Sequence, residues 1–366
     1  MNKLNQISLF QVFCLVVLTQ VGVHVLTIPY EESRFAGYDS WISLLIGGVI
    51  SQFVIWMIYL LNGRHPNASL PQFIFGLAGK PLGSLLNLFI AVYCLGSSLI
   101  VCVSYSDVIS RWVLFSTPWF VLTGISLFTA AYIASSSLIS LATVTQSIML
   151  MFLLCLIIIF VSGMGKGDVL HFLPVGMHGF LPILKGVVPS LWAYAGYELL
   201  LYVFPYINSR KKRAILITVS AANGFTTLFY VLISVIVTFN FSENQLKFIP
   251  EPMIFLLRQF NWPVVQSLDI LFMTIWLSVT TVTLYVYLFL SARYLAFVGV
   301  KENPHHRILV WMLAAVCYIV GLWGEDRQRF LQFSVFHNAA TIGIIAIVPA
   351  ILLAVSLVRG RRAALG

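Results

Sequence analysis

Long uncharged runs dominate this sequence and set the class of fold that it can adopt. Runs without a single Asp, Glu, Lys or Arg cover residues 4–30, 40–63, 81–106, 112–165, 214–242, 270–292, 308–324 and 330–358. A helix that crosses the hydrocarbon core of a bilayer needs about 20 predominantly apolar residues. Because such runs recur along the whole chain, the sequence predicts an all-α polytopic membrane protein.

The low charge content excludes several classes of protein. Charged residues make up 9% of the 366 residues, against about 25% in an ordinary globular domain. So few charges cannot cover a water-exposed surface, which argues against soluble enzymes and nucleic-acid-binding proteins despite a net charge of +9. The basic excess is better explained by orientation in the membrane and by contact with membrane lipid.

The runs predict ten transmembrane helices in a single transmembrane domain over residues 1–366. The run 112–165 is long enough for two spans, and three consecutive serines at 135–137 predict the break between them. One further span lies between Lys185 and Arg210 and is interrupted only by Glu198. Outside the spans, we expect a short external helix within 241–263 and an amphipathic interfacial helix at 70–80.

The distribution of Lys and Arg predicts the orientation of the chain. With ten spans both termini face the same side, and 13 basic residues fall there: Lys3, Arg64, Lys80, Arg210, Lys211, Lys212, Arg213, Arg293, Lys301, Arg307, Arg359, Arg361 and Arg362. The opposite side receives 8: Arg34, Arg111, Lys166, Lys185, Lys247, Arg258, Arg327 and Arg329. We therefore expect both termini to be cytoplasmic.

Ten spans divide into two sets of five, which predicts an inverted repeat with repeat one at 8–163 and repeat two at 182–358. The first span carries Gly22 and then Pro29, and the sixth carries Gly196 and then Pro205. Broken helices at matching positions of two repeats indicate a ligand site near the membrane midplane. Two ordinary kinked helices are the alternative explanation, since Gly and Pro are common in membrane helices.

Broken helices offer chemistry that continuous helices lack. They expose backbone N–H and C=O groups without helical partners, and half-helix N-termini attract carboxylates. An amino acid suits such a site, and glycine allows it a close approach to the backbone. We expect the floor of the pocket to be formed by Thr19, Gly22, Val23, Tyr194, Gly196 and Tyr197. Close packing of helices is the alternative role for the glycines.

Glu198 is the one acidic residue near the middle of a predicted span. A carboxylate there costs about 2.5–3.5 kcal/mol on insertion scales, so it needs a partner, a proton or a functional reason. It could bind a ligand ammonium group or carry a coupling proton. The structural alternative is a fixed hydrogen bond to a tyrosine, an asparagine or a backbone amide.

No pattern in the sequence indicates a metal, a cofactor or catalysis. The five cysteines all lie inside predicted spans and form no CxxC pair, so neither a zinc site nor a disulfide framework is expected. Nucleophile and base residues do not cluster on a common helix face. We therefore do not expect an enzyme.

Several segments resemble the spore germination receptor B-subunit family, which belongs to the amino acid/polyamine/organocation transporter superfamily. They are 22–29 (GVHVLTIP), 38–43 (YDSWIS), 63–70 (GRHPNASL) with 79–83 (GKPLG), and 196–198 (GYE) with Pro205. The resemblance extends over essentially the whole chain. His24 departs from the pattern, since small or apolar residues are more usual there.

The resemblance implies a ten-helix transporter-like fold that senses a nutrient in the inner membrane of a dormant spore, beside an A subunit and a lipoprotein C subunit. In that fold, spans 3 and 8 pack against the broken helices. Tyr93, Ser97 and Val101 share one face of span 3, and Thr281 and Tyr285 share one face of span 8. These residues could contact a small amphipathic ligand, or they could serve in helix packing.

Two functions remain in competition at the level of sequence. The first is a germinant receptor subunit that binds a small nutrient, such as an amino acid, between spans 1, 3, 6 and 8. The second is a secondary transporter that couples amino-acid uptake to an ion gradient.

Overall fold

The computed structural model describes residues 6–163, 167–209, 211–260, 267–299 and 304–363. Sixteen α-helices lie in these ranges. They are α1 (Leu9–Gln20), α2 (Tyr30–Ala36), α3 (Ser40–Arg64), α4 (Leu70–Ala78), α5 (Lys80–Trp112), α6 (Trp119–Ala134), α7 (Leu138–Gly163), α8 (Phe180–Ala193), α9 (Leu200–Val203), α10 (Lys212–Asn240), α11 (Glu243–Phe248), α12 (Pro252–Gln259), α13 (Leu268–Ala296), α14 (His306–Gly321), α15 (Arg327–Ile342) and α16 (Val348–Ala363). The described part of the chain contains no β-strand beyond an isolated bridge between Ile7 and Ile207.

Seven helical stretches among the described residues are long and apolar enough to cross a membrane, and an eighth qualifies if the bent pair Phe180–Ala193 and Tyr197–Tyr206 is one span. Two shorter apolar helices, Leu9–Gln20 and Trp119–Ala134, occupy the positions of the remaining predicted spans. The chain is therefore a multi-pass helical membrane protein. The count of ten spans and the inverted repeat stay predictions.

The first predicted span is interrupted. Helix α1 ends at Gln20, a 3₁₀ turn covers Val23–Leu26, and α2 begins only at Tyr30 after Pro29. At 12 residues α1 rises only about 18 Å, so it cannot cross the bilayer core alone. The break lies at Gly22, where the sequence predicts it.

The sixth predicted span is broken as well. Helix α8 ends at Ala193, and the chain turns by 47° before the segment Tyr197–Tyr206. Gly196 has φ +135°, a backbone conformation that residues with a Cβ atom rarely adopt. The glycine in the sequence therefore marks the turning point of this span.

The serines at 135–137 separate α6 from α7, as predicted. Helices α11 and α12 lie within the segment 241–263 that is expected to hold an external helix, and α4 matches the predicted helix at 70–80. Ser242 caps the start of α11 through a hydrogen bond from Gln245 N–H, with the Gln245 side chain returning to the Ser242 N–H. This capping box explains why a helix begins directly after α10 ends.

Helix α13 lies at the centre of the fold. It packs against α5, α6, α7, α14 and α1, and almost every side chain from Val279 to Ala296 is buried. The outer helices show the opposite pattern, with Phe128 64% and Leu150 67% exposed. Large apolar side chains at such positions are suited to contact with lipid, where their exposure costs no hydrophobic free energy.

Candidate functional site at the two helix breaks

The two helix breaks are in direct contact. A Cβ atom placed on Gly196 would lie 2.8 Å from the backbone nitrogen of Gln20 and 2.8 Å from the carbonyl carbon of Thr19. Because these neighbours are backbone atoms, they cannot move aside as a flexible side chain could. Gly196 is therefore required for the end of α1 to reach the turn of the sixth span.

A tyrosine joins the carbonyl ends of both half-helices. The Tyr230 hydroxyl on α10 lies 2.8 Å from the carbonyl oxygen of Gln20 and 2.9 Å from that of Ala193. The Gln20 side chain adds a hydrogen bond from Nε2 to the Tyr194 carbonyl at 3.1 Å. These donors satisfy carbonyl groups that lost their helical partners where α1 and α8 end.

Thr283 on α13 also donates to carbonyl groups at the end of α1. Its Oγ1 lies 3.2 Å from the carbonyl oxygen of Leu18 and 3.3 Å from that of Thr19. A Cβ on Gly22 would lie 3.0 Å from the same hydroxyl. The first break is thus held between α10 and α13, and a Cβ on Gly22 would require Thr283 to shift by a few tenths of an ångström.

A small cavity opens beside these breaks, and we call it the deep cavity. Its volume is about 50 Å³, which leaves room for a few water-sized groups. Six of the residues predicted from the sequence line it: Thr19, Gly22, Val23, Tyr93, Ser97 and Val101. The structure therefore brings the first break and the predicted face of α5 together around one space.

The other six predicted residues do not line the deep cavity: Tyr194, Gly196, Tyr197, Glu198, Thr281 and Tyr285. The Tyr194 hydroxyl donates to the Leu44 carbonyl at 2.9 Å on α3, and the Tyr285 hydroxyl lies 2.7 Å from Oγ1 of Thr145 on α7. These side chains join neighbouring helices to each other instead of facing the space at the breaks.

Ten lining residues were not predicted from the sequence: Gln20, His24, Ile100, Trp192, Ala195, Thr283, Tyr287, His337, Asn338 and Thr341. On α13 the structure selects Thr283 and Tyr287 in place of Thr281 and Tyr285. On α15 it brings in His337 and Asn338. No pattern in the sequence indicates that α15 lies beside the first break.

Glu198 follows the break in the sixth span and is 6% exposed. Its Oε1 accepts hydrogen bonds from the Tyr287 hydroxyl at 2.6 Å and from the Tyr93 hydroxyl at 3.0 Å, and its Oε2 accepts the Gly196 N–H at 2.6 Å. Three donors thus converge on one carboxyl group. The arrangement links α5, α13 and the broken span, and it corresponds to the structural alternative considered for this residue.

His337 connects α15 to α5 at the wall of the deep cavity. Its Nε2 lies 3.0 Å from the Ser97 Oγ, and its ring stacks on that of Tyr93 with centroids 5.2 Å apart and planes 4° apart. The Tyr93 hydroxyl in turn donates to Glu198. One continuous chain of contacts therefore runs from α15 through α5 to the sixth span.

A larger cavity of about 320 Å³ adjoins the deep cavity, and we call it the vestibule. The two share the side chains of Val23, His24, Ile100, Val101, Trp192 and Asn338. The other residues of the vestibule include Glu31, Arg34, Asp107, Glu251 and Arg327. These five belong to segments that the basic-residue count assigns to the external side.

Within the described ranges, no group of three or more His, Cys, Asp or Glu side chains is placed to hold a metal ion. The five cysteines are buried as free thiols. The hydrogen-bonding side chains that line the deep cavity carry hydroxyl, amide, imidazole and indole groups.

Comparison with known proteins places the chain among relatives of one kind. The family described as "Spore germination protein" matches residues 6–330. Spore germination protein GerQB of Bacillus cereus is 26% identical over 277 residues, which cover 74% of each chain. Spore germination protein YndE of Bacillus subtilis is 22% identical over 364 residues, which cover 98% of each chain.

The fold has a counterpart among solved structures. A crystal structure of a mutant manganese transporter from Eremococcus coleocola superposes with a TM-score of 0.55 at 12% sequence identity, covering 94% of this chain and 76% of that one. At this identity the likeness concerns the fold, which is that of a polytopic transporter. The family match over most of the sequence is the stronger result, and the chain belongs to the spore germination protein family.

Proposed function

We propose that this protein is the B subunit of a nutrient germinant receptor and that it binds a small amino acid in the deep cavity. The observation that supports this proposal is the contact of both helix breaks beside one cavity. A ligand that enters there touches the first break directly and reaches the sixth span through Tyr287 and Glu198. Occupancy can therefore bias how the two broken spans are arranged.

The size and chemistry of the deep cavity favour a small amphipathic ligand. Its volume of about 50 Å³ excludes bulky side chains. Hydroxyl groups of Ser97 and Thr283 and the ring of His24 stand beside the apolar Val23 and Val101. A few polar groups in an otherwise apolar wall are typical of sites that orient a small molecule.

Binding without catalysis is part of the proposal. Ser97 and His337 form a hydroxyl–imidazole pair at 3.0 Å, which superficially resembles a nucleophile and its base. In a hydrolytic site a third group orients the base, and no hydrogen bond to His337 Nδ1 occurs within the described residues. We therefore assign the pair to holding α15 against α5.

The receptor would work in the inner membrane of the spore, with both termini cytoplasmic and with A and C subunits as partners. Binding would stabilise one arrangement of the broken spans, and the partner subunits would detect that arrangement. A ligand can shift such an equilibrium only by its difference in affinity for the two states. The contacts of Glu198 and His337 are the links that such a shift would strain or release.

Thermal unfolding of the purified chain in detergent tests the proposal. We expect glycine, alanine, serine or another small amino acid to raise the melting temperature of the wild type, and Gly22→Leu to reduce this effect strongly because leucine fills the deep cavity. A panel of amino acids that stabilises neither protein, or both equally, would contradict the assignment.

Transport is the competing function, and reconstitution separates the two. Proteoliposomes that contain the chain alone are loaded with buffer and given a labelled amino acid that stabilises the protein. A receptor subunit binds the label without accumulating it. Saturable accumulation driven by a proton or sodium gradient would show instead that the chain is a secondary transporter.

A further inference from the structure

Five charged side chains line the vestibule. Glu31 and Arg34 reach it from α2, Asp107 from α5, Glu251 from the start of α12 and Arg327 from the start of α15. Groups of both signs therefore surround one space of about 320 Å³. That volume lies in the range of pockets that hold small molecules.

Two of these acids already have a partner. The Nη2 of Arg111 lies 2.7 Å from Oδ2 of Asp107 and 2.6 Å from Oε1 of Glu251. The three side chains hold the start of α12 against the end of α5. Asp107 and Glu251 line the vestibule, so Arg111 holds this part of its wall in place.

The remaining three charges are Glu31, Arg34 and Arg327. Among the described residues, none of these side chains forms a hydrogen bond or a close ion pair, although the charge of Arg34 acts on Glu31 within α2 and Arg34 lies over the ring of Tyr30 at 5.8 Å. One carboxylate and two guanidinium groups thus line a cavity without a hydrogen-bond partner among the described residues. A guanidinium group binds a carboxylate with two parallel hydrogen bonds, and a carboxylate accepts hydrogen bonds from an ammonium group.

We propose that the vestibule is a second binding site, which selects free amino acids by their two backbone charges before they reach the deep cavity. This inference rests on the proposed function. Arg34 and Arg327 would hold the α-carboxylate, and Glu31 would hold the α-ammonium group. The apolar surfaces of Trp192 and Phe330 would accept any side chain.

The balance of charge supports a zwitterion over a simple ion. Two arginines and three acids line the vestibule, and Arg111, which does not line it, pairs with two of the acids, so these six side chains together carry no net charge. A ligand with one net charge would leave one of the unpaired groups of the vestibule without a partner. The vestibule thus selects an amino acid by its two backbone charges, and the deep cavity selects it by the size of its side chain.

Equilibrium dialysis with labelled glycine tests this inference on the full chain in lipid-free detergent. The Gly22→Leu variant is used so that the deep cavity is filled and only the vestibule is available. We expect saturable glycine binding to this variant in the millimolar range. Glycinamide and N-acetylglycine, which each keep one of the two charges, should compete at least tenfold less well than unlabelled glycine.

Further substitutions in the Gly22→Leu background show which charged side chains of the vestibule bind glycine. Arg327→Gln and Glu31→Gln should each weaken glycine binding at least tenfold. Arg329→Gln is the matched control, because Arg329 is exposed on the same helix and pairs with Asp326 outside the vestibule. Thermal unfolding of each variant verifies that it is folded.

Two results would overturn the vestibule site: absence of saturable glycine binding to Gly22→Leu, or equal affinities for the Arg327→Gln, Glu31→Gln and Arg329→Gln variants. The proposed function fails separately, when no amino acid distinguishes the wild type from Gly22→Leu in thermal unfolding. The two failures are therefore distinguishable in the same set of proteins.

Discussion

The Glu198 carboxylate accepts the Tyr287 hydroxyl at a distance of 2.6 Å, and this bond joins the broken sixth span to the central helix α13. The Tyr93 hydroxyl and the Gly196 backbone N–H donate hydrogen bonds to the same carboxyl group. An ionisable residue inside a membrane protein is by default a functional residue. Here the Glu198 carboxyl group accepts three hydrogen bonds from the protein, and these bonds hold the break in shape beside the deep cavity.

We expect Glu198→Gln to lower the free energy of unfolding by about 2 kcal/mol, as hydrogen bonds to charged groups are worth about 1.5–3 kcal/mol. A glutamine side chain places an NH₂ group where three donors converge, so at least one donor loses its acceptor. Thermal unfolding in detergent measures the effect. Glu325→Gln is the control, since Glu325 is exposed; equal melting temperatures for the two variants would argue against the structural role.

A second prediction concerns the contact between the breaks. Gly196→Ala should destabilise the protein by about 2–4 kcal/mol, because its methyl group would meet the backbone of Gln20 at 2.8 Å and because φ is +135°. Gly224→Ala in α10 is the matched control, since nothing lies within 4 Å of the added Cβ. That change should be neutral or stabilising by up to about 1 kcal/mol, as alanine favours helix. Similar losses in both variants would contradict the close contact.

The sequence predicts the places of the breaks because Gly and Pro interrupt apolar runs that otherwise continue as helix. It does not predict what holds the breaks. Tyr230 lies far along the chain from both Gln20 and Ala193, and its hydroxyl has no local pattern that distinguishes it from the other tyrosines. Hydrogen bonds between groups so far apart in the sequence depend on tertiary packing, which cannot be predicted from hydropathy.

The choice of face on α13 shows the same limit. Hydroxyl residues occur four apart both at Thr281 and Tyr285 and at Thr283 and Tyr287. The two pairs differ by two positions, which turns the helix by about 200°. Because α13 is buried on nearly all sides, no polar or apolar side indicates which pair faces the breaks.

This difference gives a third prediction. Thr283→Val should weaken amino-acid binding about tenfold, since Thr283 lines the deep cavity and its hydroxyl holds the carbonyl groups of Leu18 and Thr19. Thr281→Val should leave the affinity unchanged, because the Thr281 hydroxyl only donates to the Leu277 carbonyl in its own helix. The concentration dependence of ligand-induced thermal stabilisation measures both affinities. The reverse ranking would place the ligand on the other face of α13.

The last prediction concerns pH and the external loops. Burial alone would raise the pKa of Glu243, but hydrogen bonds and charge from Lys247 at 2.7 Å and His178 at 3.2 Å outweigh it and lower the pKa below its ordinary value. A lowered pKa in the folded state stabilises the protein above the unfolded value of about 4.3, and this stabilisation is lost as pH falls through the folded value.

Glu243→Gln should therefore cost about 0.5–1 kcal/mol at pH 7, and the gap to the wild type should close as pH falls below about 4. Melting temperatures of both proteins between pH 7 and pH 3 measure the gap. Glu325→Gln again serves as the control, because Glu325 is exposed and forms no ion pair among the described residues. A gap that stays constant down to pH 3 would mean that the Glu243 charge does not stabilise the folded state, and that the loss in the variant comes from packing of α11 against the loop that carries His178.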